Sequence, residues 1–347
     1  ALNAPAWWKP YVSRNGHLYG VMLPTLSSLR QVACALCADA TLQAGQQNFD
    51  AFLADVIAVK QLTRHLTAQP VLLERYLGAQ LECRVDAAIG AAIGSGTFSP
   101  KDRRQLSAAL RRFKPLQDIA TTVDQAERWG LLDMLLATQA HPPTLLGGEM
   151  PIVVAGSEKT EMALDTVEWG ALDWDAVLRV ANTWIDGELN MVQSTTIGDM
   201  RSAAAAMNDT LAAWSADRKA HNHGNLMKDA GETKAAYSKR VAHTLLVVFA
   251  MPVEQSEETC RQARMENQMV NALLAAATYR DTHGNWPAKR DDLIPQYLAT
   301  LPNDIYTKQP NTPVAWALSD QGAYVYSVGK NGKDDAGAAD DIVVGTK

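Results

Sequence analysis

Near the C-terminal end, side chains with oxygen ligands crowd into a short part of the sequence. The segment 329–341 holds five of them: Asn331, Asp334, Asp335, Asp340 and Asp341. Calcium binds about six to eight hard oxygens from carboxylates, amides and backbone carbonyls, in a flexible geometry. Neighbouring carboxylates repel one another unless a cation or water screens them. The glycines at 332 and 337 allow the backbone to turn its carbonyl groups inward.

We therefore predict a calcium site in this loop, with Asp340 and Asp341 as its main ligands and Asp334 and Asn331 as further ligands. The alternative is a solvated acidic turn close to the end of the chain. The spacing does not fit the helix-flanked calcium loop of about twelve residues, since no glutamate follows at the required distance.

The four cysteines leave several interpretations open. Cys34 and Cys37 form a C-x-x-C pattern, but it lies in a helical pattern with no strand before it, which argues against a thioredoxin-like role. A zinc site would need two ligands besides Cys34 and Cys37, and Cys83 is the only obvious candidate for a third. We expect buried structural thiols here and at Cys260, and leave open a disulfide from Cys83 to Cys34 or Cys37.

Other patterns that could do chemistry are less specific. His221 and His223 could share a metal in an extended segment, although a polar connector is the more ordinary interpretation. Glu82 and Asp86 could be catalytic carboxylates, but with Arg84 nearby a salt-bridged helix face is expected. The sequence contains no G-x-S-x-G elbow, phosphate loop or dinucleotide fingerprint.

Composition limits the class of protein. The chain has 347 residues, of which 47% are hydrophobic, enough for one large domain or two smaller ones. With 32 basic against 38 acidic residues it is poorly suited to hold a nucleic-acid backbone. No stretch approaches the roughly 20 apolar residues of a membrane span. The sequence begins at Ala1 without Met, which is compatible with removal of an N-terminal signal or anchor.

The spacing of apolar residues predicts an irregular all-α array of helical hairpins over about 1–250. The predicted helices cover 18–44, 49–69, 71–93, 99–113, 116–138, 173–192, 197–219 and 234–250. The Gly/Pro-rich segment 142–172 is expected to be a surface loop.

The last part of the chain has a different pattern. A helix capped by Ser256 is predicted to run to Gly284, a residue type that ends helices. Several prolines follow. Residues 316–318 and 323–328 then predict a β-hairpin, and 342–344 a short closing strand.

Three passages occur in this part in a fixed order. They are YRDTHGNWP at 279–287, LPNDIY at 301–306, and residues 326–342, which begin with YSVGKNG and end with DDI. In that order they resemble the C-terminal part of the type II secretion major pseudopilin, over about 253–347. Ile305 stands where that family has proline, and Asn331 where aspartate is common. The family's N-terminal processing site and membrane helix are missing.

The resemblance implies a long helix packed on a small antiparallel sheet, with calcium pinning the last loop. The helical N-terminal part resembles uncharacterised bacterial proteins that carry such a tail. We therefore expect a mainly α helical array over 1–250, followed by a small α+β pseudopilin-like domain over 251–347.

The corresponding function is a non-catalytic interaction or scaffold protein of the periplasm or another extracytoplasmic part of the bacterial envelope. Its partner would be a protein or another envelope component, and no nucleic acid is expected. Two alternatives stay open. One is a hydrolase-type enzyme with its site in a groove of the helical domain, and the other is an accessory factor of a secretion or pilus system.

Overall fold

The computed structural model describes residues 11–13, 16–140, 166–220, 226–251, 253–309, 311–319 and 322–346. In these parts the chain is mainly helical, with a small three-stranded antiparallel sheet near the C-terminus. The helices are α1 Leu26–Gly45, α2 Phe49–Thr67, α3 Leu72–Gly94, α4 Pro100–Leu110, α5 Ala120–Thr122, α6 Arg128–Ala140, α7 Trp174–Val192, α8 Ile197–Ala220, α9 Lys234–Phe249 and α10 Val253–His283.

Helix α3 lies at the centre of the molecule. It packs against α1 and α2 on one side and along α10 on another, and it also contacts the last strand. Sixteen of its 23 residues are buried, including the charged side chains of Glu82 and Asp86, as expected for a helix covered on several sides. The other elements are therefore arranged around α3.

Several helix ends lie where the sequence places them. Ser99 caps α4, because its Oγ accepts a hydrogen bond from the Asp102 backbone nitrogen at 3.2 Å. Asp173 caps α7 in the same way, through Ala176 at 3.3 Å. Gly284 follows α10 with a φ of 81°, the left-handed conformation that glycine adopts without strain.

Other boundaries differ from the prediction. Helix α1 begins at Leu26 rather than at 18, because residues before Pro24 form a 3₁₀ turn and two short paired strands, β1 Val12–Ser13 and β2 Val21–Met22. Helix α10 begins at Val253, so Ser256 is buried within its first turns and is not a cap.

The helix predicted over 116–138 also begins later and is not regular. Asp118 closes a turn just before the helix, since its Oδ1 accepts a hydrogen bond from the Ala120 nitrogen at 3.0 Å. A π-helical turn, Val123–Glu127, then separates α5 from α6. Such turns leave no clear trace in the spacing of apolar residues.

The C-terminal sheet has the predicted hairpin and closing strand. Its strands are β3 Ala315–Ser319, β4 Gly322–Ser327 and β5 Ile342–Gly345, in the order β3-β4-β5 and antiparallel throughout. Val325 pairs with Trp316 on one side and with Val344 on the other. The pairing fixes where the loop between β4 and β5 must start and end.

The sheet rests directly on α3 and α10. Gly90 and Gly94 leave room for the strand backbones, since a Cβ at Gly94 would lie 2.7 Å from the carbonyl oxygen of Ala323. The Thr346 hydroxyl donates to the Ala91 carbonyl of α3 at 3.0 Å. One cluster of buried apolar side chains extends from Cys37 to Val344 and includes residues on both sides of position 250. The division into domains at 250 and 251 stays a prediction.

Some sequence predictions concern residues beyond the described ranges. His221, His223 and most of the segment 142–172 belong to these. Within the described part of the chain, none of the helices combines the length and the apolar character that a membrane crossing requires.

We expect Gly94→Ala to lower the free energy of unfolding by about 1–3 kcal/mol, because the added methyl group meets strand backbone rather than a movable side chain. Urea unfolding followed by circular dichroism would measure the change. Gly130→Ala in α6 is the control: nothing lies within 4 Å of its added methyl group, so it should stabilise the protein by about 0.5–1 kcal/mol. Equal effects of the two substitutions would contradict the packing described here.

Candidate functional site

The acidic loop between β4 and β5 is anchored at its start by the buried side chain of Asp304. Its Oδ1 accepts hydrogen bonds from the Ser327 hydroxyl at 2.7 Å and the Tyr306 nitrogen at 2.9 Å. Its Oδ2 accepts one from the Val328 nitrogen at 2.8 Å. The sequence places Asp304 in a turn motif but gives no sign of this role, because two of its partners lie more than 20 residues further along the chain.

Three aspartates of the loop come together. Carboxylate oxygens of Asp335, Asp340 and Asp341 all lie within 4.8 Å of one another. Two oxygens that bind one calcium ion at about 2.3–2.6 Å can be at most about 5 Å apart, so this spread is compatible with a single ion. The cluster contains both residues that the sequence favours most strongly as ligands.

Asn331 lies at the edge of this cluster as a hydrogen-bond donor. Its Nδ2 donates to Asp335 Oδ2 at 3.1 Å and also to Asp340. Its backbone nitrogen donates to Asp340 Oδ2 at 2.8 Å. Its side-chain oxygen is occupied by the Lys333 nitrogen at 2.5 Å. In this arrangement Asn331 orients the carboxylates, and its amide would have to rotate to become a ligand.

Asp334 is not part of the cluster. Its Oδ1 accepts hydrogen bonds from the Tyr326 hydroxyl at 3.2 Å and from the Ala336 nitrogen at 2.9 Å. The neighbouring Asp335 takes the inner position instead. Sequence alone does not distinguish two adjacent aspartates, because the inner one is selected by the backbone turn, in which Ala336 has a φ of 55°.

Asp341 is the most constrained of the three carboxylates. Its Oδ2 accepts hydrogen bonds from the backbone nitrogens of Gly337 at 2.7 Å and Asp335 at 3.1 Å. Its Oδ1 is closed to solvent and has no donor among the described residues. Burial raises the pKa of Asp341, and the charges of Asp335 and Asp334 add to this, while the two backbone donors oppose it. A cation at this oxygen would relieve the repulsion.

The same loop is tied to the helical part of the molecule. Lys330 Nζ lies 3.0 Å from Glu258 of α10, and the Lys330 carbonyl accepts a hydrogen bond from Arg201 of α8 at 3.1 Å. Arg201 also pairs with Glu258 at 3.0 Å. A change in the loop at Lys330 therefore reaches two helices at once.

A second group of charges is sealed inside the core. Lys60 Nζ of α2 lies 2.8 Å from Glu82 and 2.5 Å from Asp86, and the side chains of all three are fully buried. Arg64 adds a hydrogen bond to each oxygen of Glu82, at 2.9 Å. Glu82 and Asp86 thus form salt bridges, but with α2 rather than with Arg84 of their own helix. Both lie out of reach of a substrate.

The pKa values of this group follow its geometry. Burial alone lowers the pKa of Lys60, but the attraction of Asp86 and Glu82 outweighs burial and raises it. Burial opposes the charged form of Glu82, yet Lys60 and Arg64 hold its pKa below the usual range. The group is therefore an ion network in which each charge depends on the others.

Glu188 of α7 is a buried carboxyl that the sequence does not single out. Its Oε1 accepts a hydrogen bond from Trp184 Nε1 at 2.9 Å. Burial raises its pKa to about 8, and the charge of Glu127 in the π-helical turn also raises it. The spacing of the buried residues Val177, Ala181 and Trp184 on α7 shows only that position 188 faces inward, and not which group it meets there.

All four cysteines are free, and no disulfide links Cys83 to Cys34 or Cys37. Burial raises the pKa of Cys37 to about 11 and that of Cys260 to about 12. Thiols with such pKa values are poor nucleophiles near neutral pH. Their environment agrees with a structural role.

Comparison with known proteins finds no match: no family model, no curated protein and no solved structure is similar to this chain. The function must therefore be argued from the residues and their geometry.

Replacing Lys60 by Met should destabilise the protein by about 3–5 kcal/mol, because two buried carboxylates would lose their shared cation. Arg179→Met is the matched control. It removes a cation from an exposed pair with Asp175 and should leave stability almost unchanged. Urea unfolding measures both. A small effect at Lys60 would show that its carboxylate partners are neutral.

Glu188→Gln should remove a pH-dependent loss of stability. Since the folded-state pKa of Glu188 is about 8, above its ordinary value of 4.5, the unprotonated form disfavours folding as the pH rises between these values. The variant should gain up to a few kcal/mol over the native protein at pH 8 and little at pH 4.5. Thermal melts across this range test it, with Asp209→Asn at an exposed position of α8 as the control. A constant difference would contradict the assignment.

Proposed function

We propose that this chain is a non-catalytic interaction or scaffold protein of the bacterial cell envelope, whose C-terminal loop is ordered by calcium. The observation that carries the calcium proposal is the grouping of Asp335, Asp340 and Asp341 around an Asp341 oxygen that lacks a donor among the described residues. The revised ligand set is these three carboxylates, with backbone carbonyls and water completing the coordination.

Calcium would act here by neutralising charge within a loop whose two ends are already fixed. Asp304 holds the start of the loop, and strand pairing of Ile342 with Ser327 holds its end. Between them Ala336 and Ala339 adopt positive φ angles that cost alanine free energy. Binding of an ion to the carboxylates would offset that cost and the mutual repulsion.

An ordered loop offers a way to act on a partner. Lys330 is shared between the loop and the pair formed by Arg201 and Glu258. Calcium would therefore stabilise the surface where α8, α10 and the loop meet. A surface ordered in this way suits an interaction protein better than an enzyme, and Glu82 and Asp86, the carboxylates considered for catalysis, are enclosed in the core.

The pseudopilin-like assignment of 251–347 is part of this proposal. It is supported by the packing of α10 on β4 and β5 and by the position of the acidic loop before the last strand. The envelope location, and the accessory role in a secretion or pilus system that stays an alternative, rest on the sequence resemblance alone.

Thermal unfolding of the full chain in calcium and in EDTA tests the proposal. Calcium at 100 times its dissociation constant should raise the free energy of unfolding by about 2.7 kcal/mol, seen as a higher Tm. Asp341→Asn should abolish the increase, since it removes the charge but keeps an acceptor for Gly337 and Asp335. Calorimetric titration should give one bound ion.

Asp334→Asn is the matched control, because it removes one charge from the same loop but lies outside the cluster. It should keep most of the calcium effect. Identical melts in calcium and EDTA would refute the site, and an equal loss in both variants would show general charge screening instead of coordination.

A further inference from the structure

A groove lined by both polar and apolar side chains runs along α10 on another part of the surface. Its volume is about 650 Å³, and it lies between α10, the connection from α7 to α8, and the turn that contains Asn303. Arg261 and Arg264 of α10 line one side, and Thr195 and Gln268 add polar groups. The space is large enough for a short peptide segment or a small molecule.

The two arginines are held in place by a buried carboxylate. Glu257 is 1% exposed, and its Oε1 accepts hydrogen bonds from Arg261 Nε at 2.8 Å and Arg264 Nη2 at 3.0 Å. Arg261 Nη2 also donates to the carbonyls of Val192 and Ser194 at 3.0 and 2.7 Å. Little side-chain entropy is then left to lose when a ligand binds.

Part of each guanidinium group is unused. Among the described residues, no acceptor contacts Arg264 Nε or Nη1, or Arg261 Nη1. Guanidinium N–H groups are matched in geometry to the two oxygens of a carboxylate or to a phosphate. The groove therefore offers preorganised donors for an oxyanion.

The charge of the groove selects between these oxyanions. The charges of Arg261 and Arg264 are balanced by Glu257 and by Asp118, which also lines the groove. Because these charges sum to zero, they add no net attraction for an anion, so a doubly charged phosphate would lose more on leaving water than a carboxylate with one charge. Glu257 Oε2 is also buried there and has no donor among the described residues, which disfavours a second negative charge and suits a ligand with N–H groups beside its carboxylate. The side chains of Thr195, Gln268 and Asn303 can in addition hydrogen-bond peptide groups.

We propose that this groove binds a peptide through a carboxylate, which is held by the guanidinium N–H groups that Glu257 leaves free on Arg264 and Arg261. This deepens the proposed function by naming the chemistry of a protein partner. It does not depend on calcium, so the test is made in EDTA and its outcome is separate from that of the calcium experiment.

The test is a nuclear magnetic resonance titration of the full chain labelled with ¹⁵N at the arginine side chains. The probes are N-acetyl-triglycine as the free acid, the same peptide with an amidated C-terminus, and inorganic phosphate. We expect the Arg264 Nε–H resonance to shift in a saturable way with the free acid. It should not shift with the amide, and phosphate should not bind more tightly than the free acid.

Arg264→Lys keeps the charge but loses the planar donor group, and should weaken binding of the free acid on the order of tenfold. Arg104→Lys, on the exposed surface of α4, is the control and should leave binding unchanged. The proposal is overturned if the amide binds as well as the acid, if phosphate binds more tightly, if no resonance shift saturates, or if both lysine variants behave alike. Melting curves of both variants verify that they are folded.

Discussion

The close approach of two strands to helix α3 is the constraint on which the rest of the structure depends. Gly90 and Gly94 remove the side chains that would otherwise hold β4 and β5 away from the helix. With the strands in place, Val325 and Val344 join the same apolar core as the helices. The position of the sheet in turn sets the ends of the acidic loop, so the candidate metal ligands are located by a contact far from them.

Another side of α3 is constrained by charge rather than by shape. Glu82 and Asp86 can be buried only where Lys60 meets both of them, which fixes the alignment of α2 along α3. A buried ion network of this kind contributes little net stability compared with apolar packing, because desolvation offsets the attraction. It does disfavour every other alignment of the two helices, in which a charge would be left alone. Shape on one side and charge on the other thus orient α3 relative to its neighbours.

Local signals in the sequence were enough to predict most of the helices and strands. The caps at Ser99 and Asp173, the glycine after α10 and the hairpin residues predict boundaries that the structure confirms, because these effects act within a few residues. The late start of α1, the π-helical turn and the position of Ser256 were missed, since each depends on packing or on a backbone irregularity that residue type does not encode.

The candidate site likewise has features that the sequence predicts and features that it does not. The acidic composition of 329–341 is visible in the sequence, and Asp340 and Asp341 do lie together. The exchange of Asp334 for Asp335 and the anchoring by Asp304 could not be predicted, because both are decided by how the backbone turns and by contacts distant in sequence. The arginine pair on α10 is equally hidden, since its i and i+3 spacing looks like an ordinary charged helix surface.

The hydrogen bond from Thr346 to the carbonyl of Ala91 joins residues 255 positions apart in the chain. Closing a contact of such long range costs more chain entropy than closing a local one. Until the last strand arrives, the glycine-lined side of α3 has no cover, and its apolar neighbours face water. The central helix is therefore made before the strand that covers it, and until that strand is in place its glycine-lined side is open to self-association.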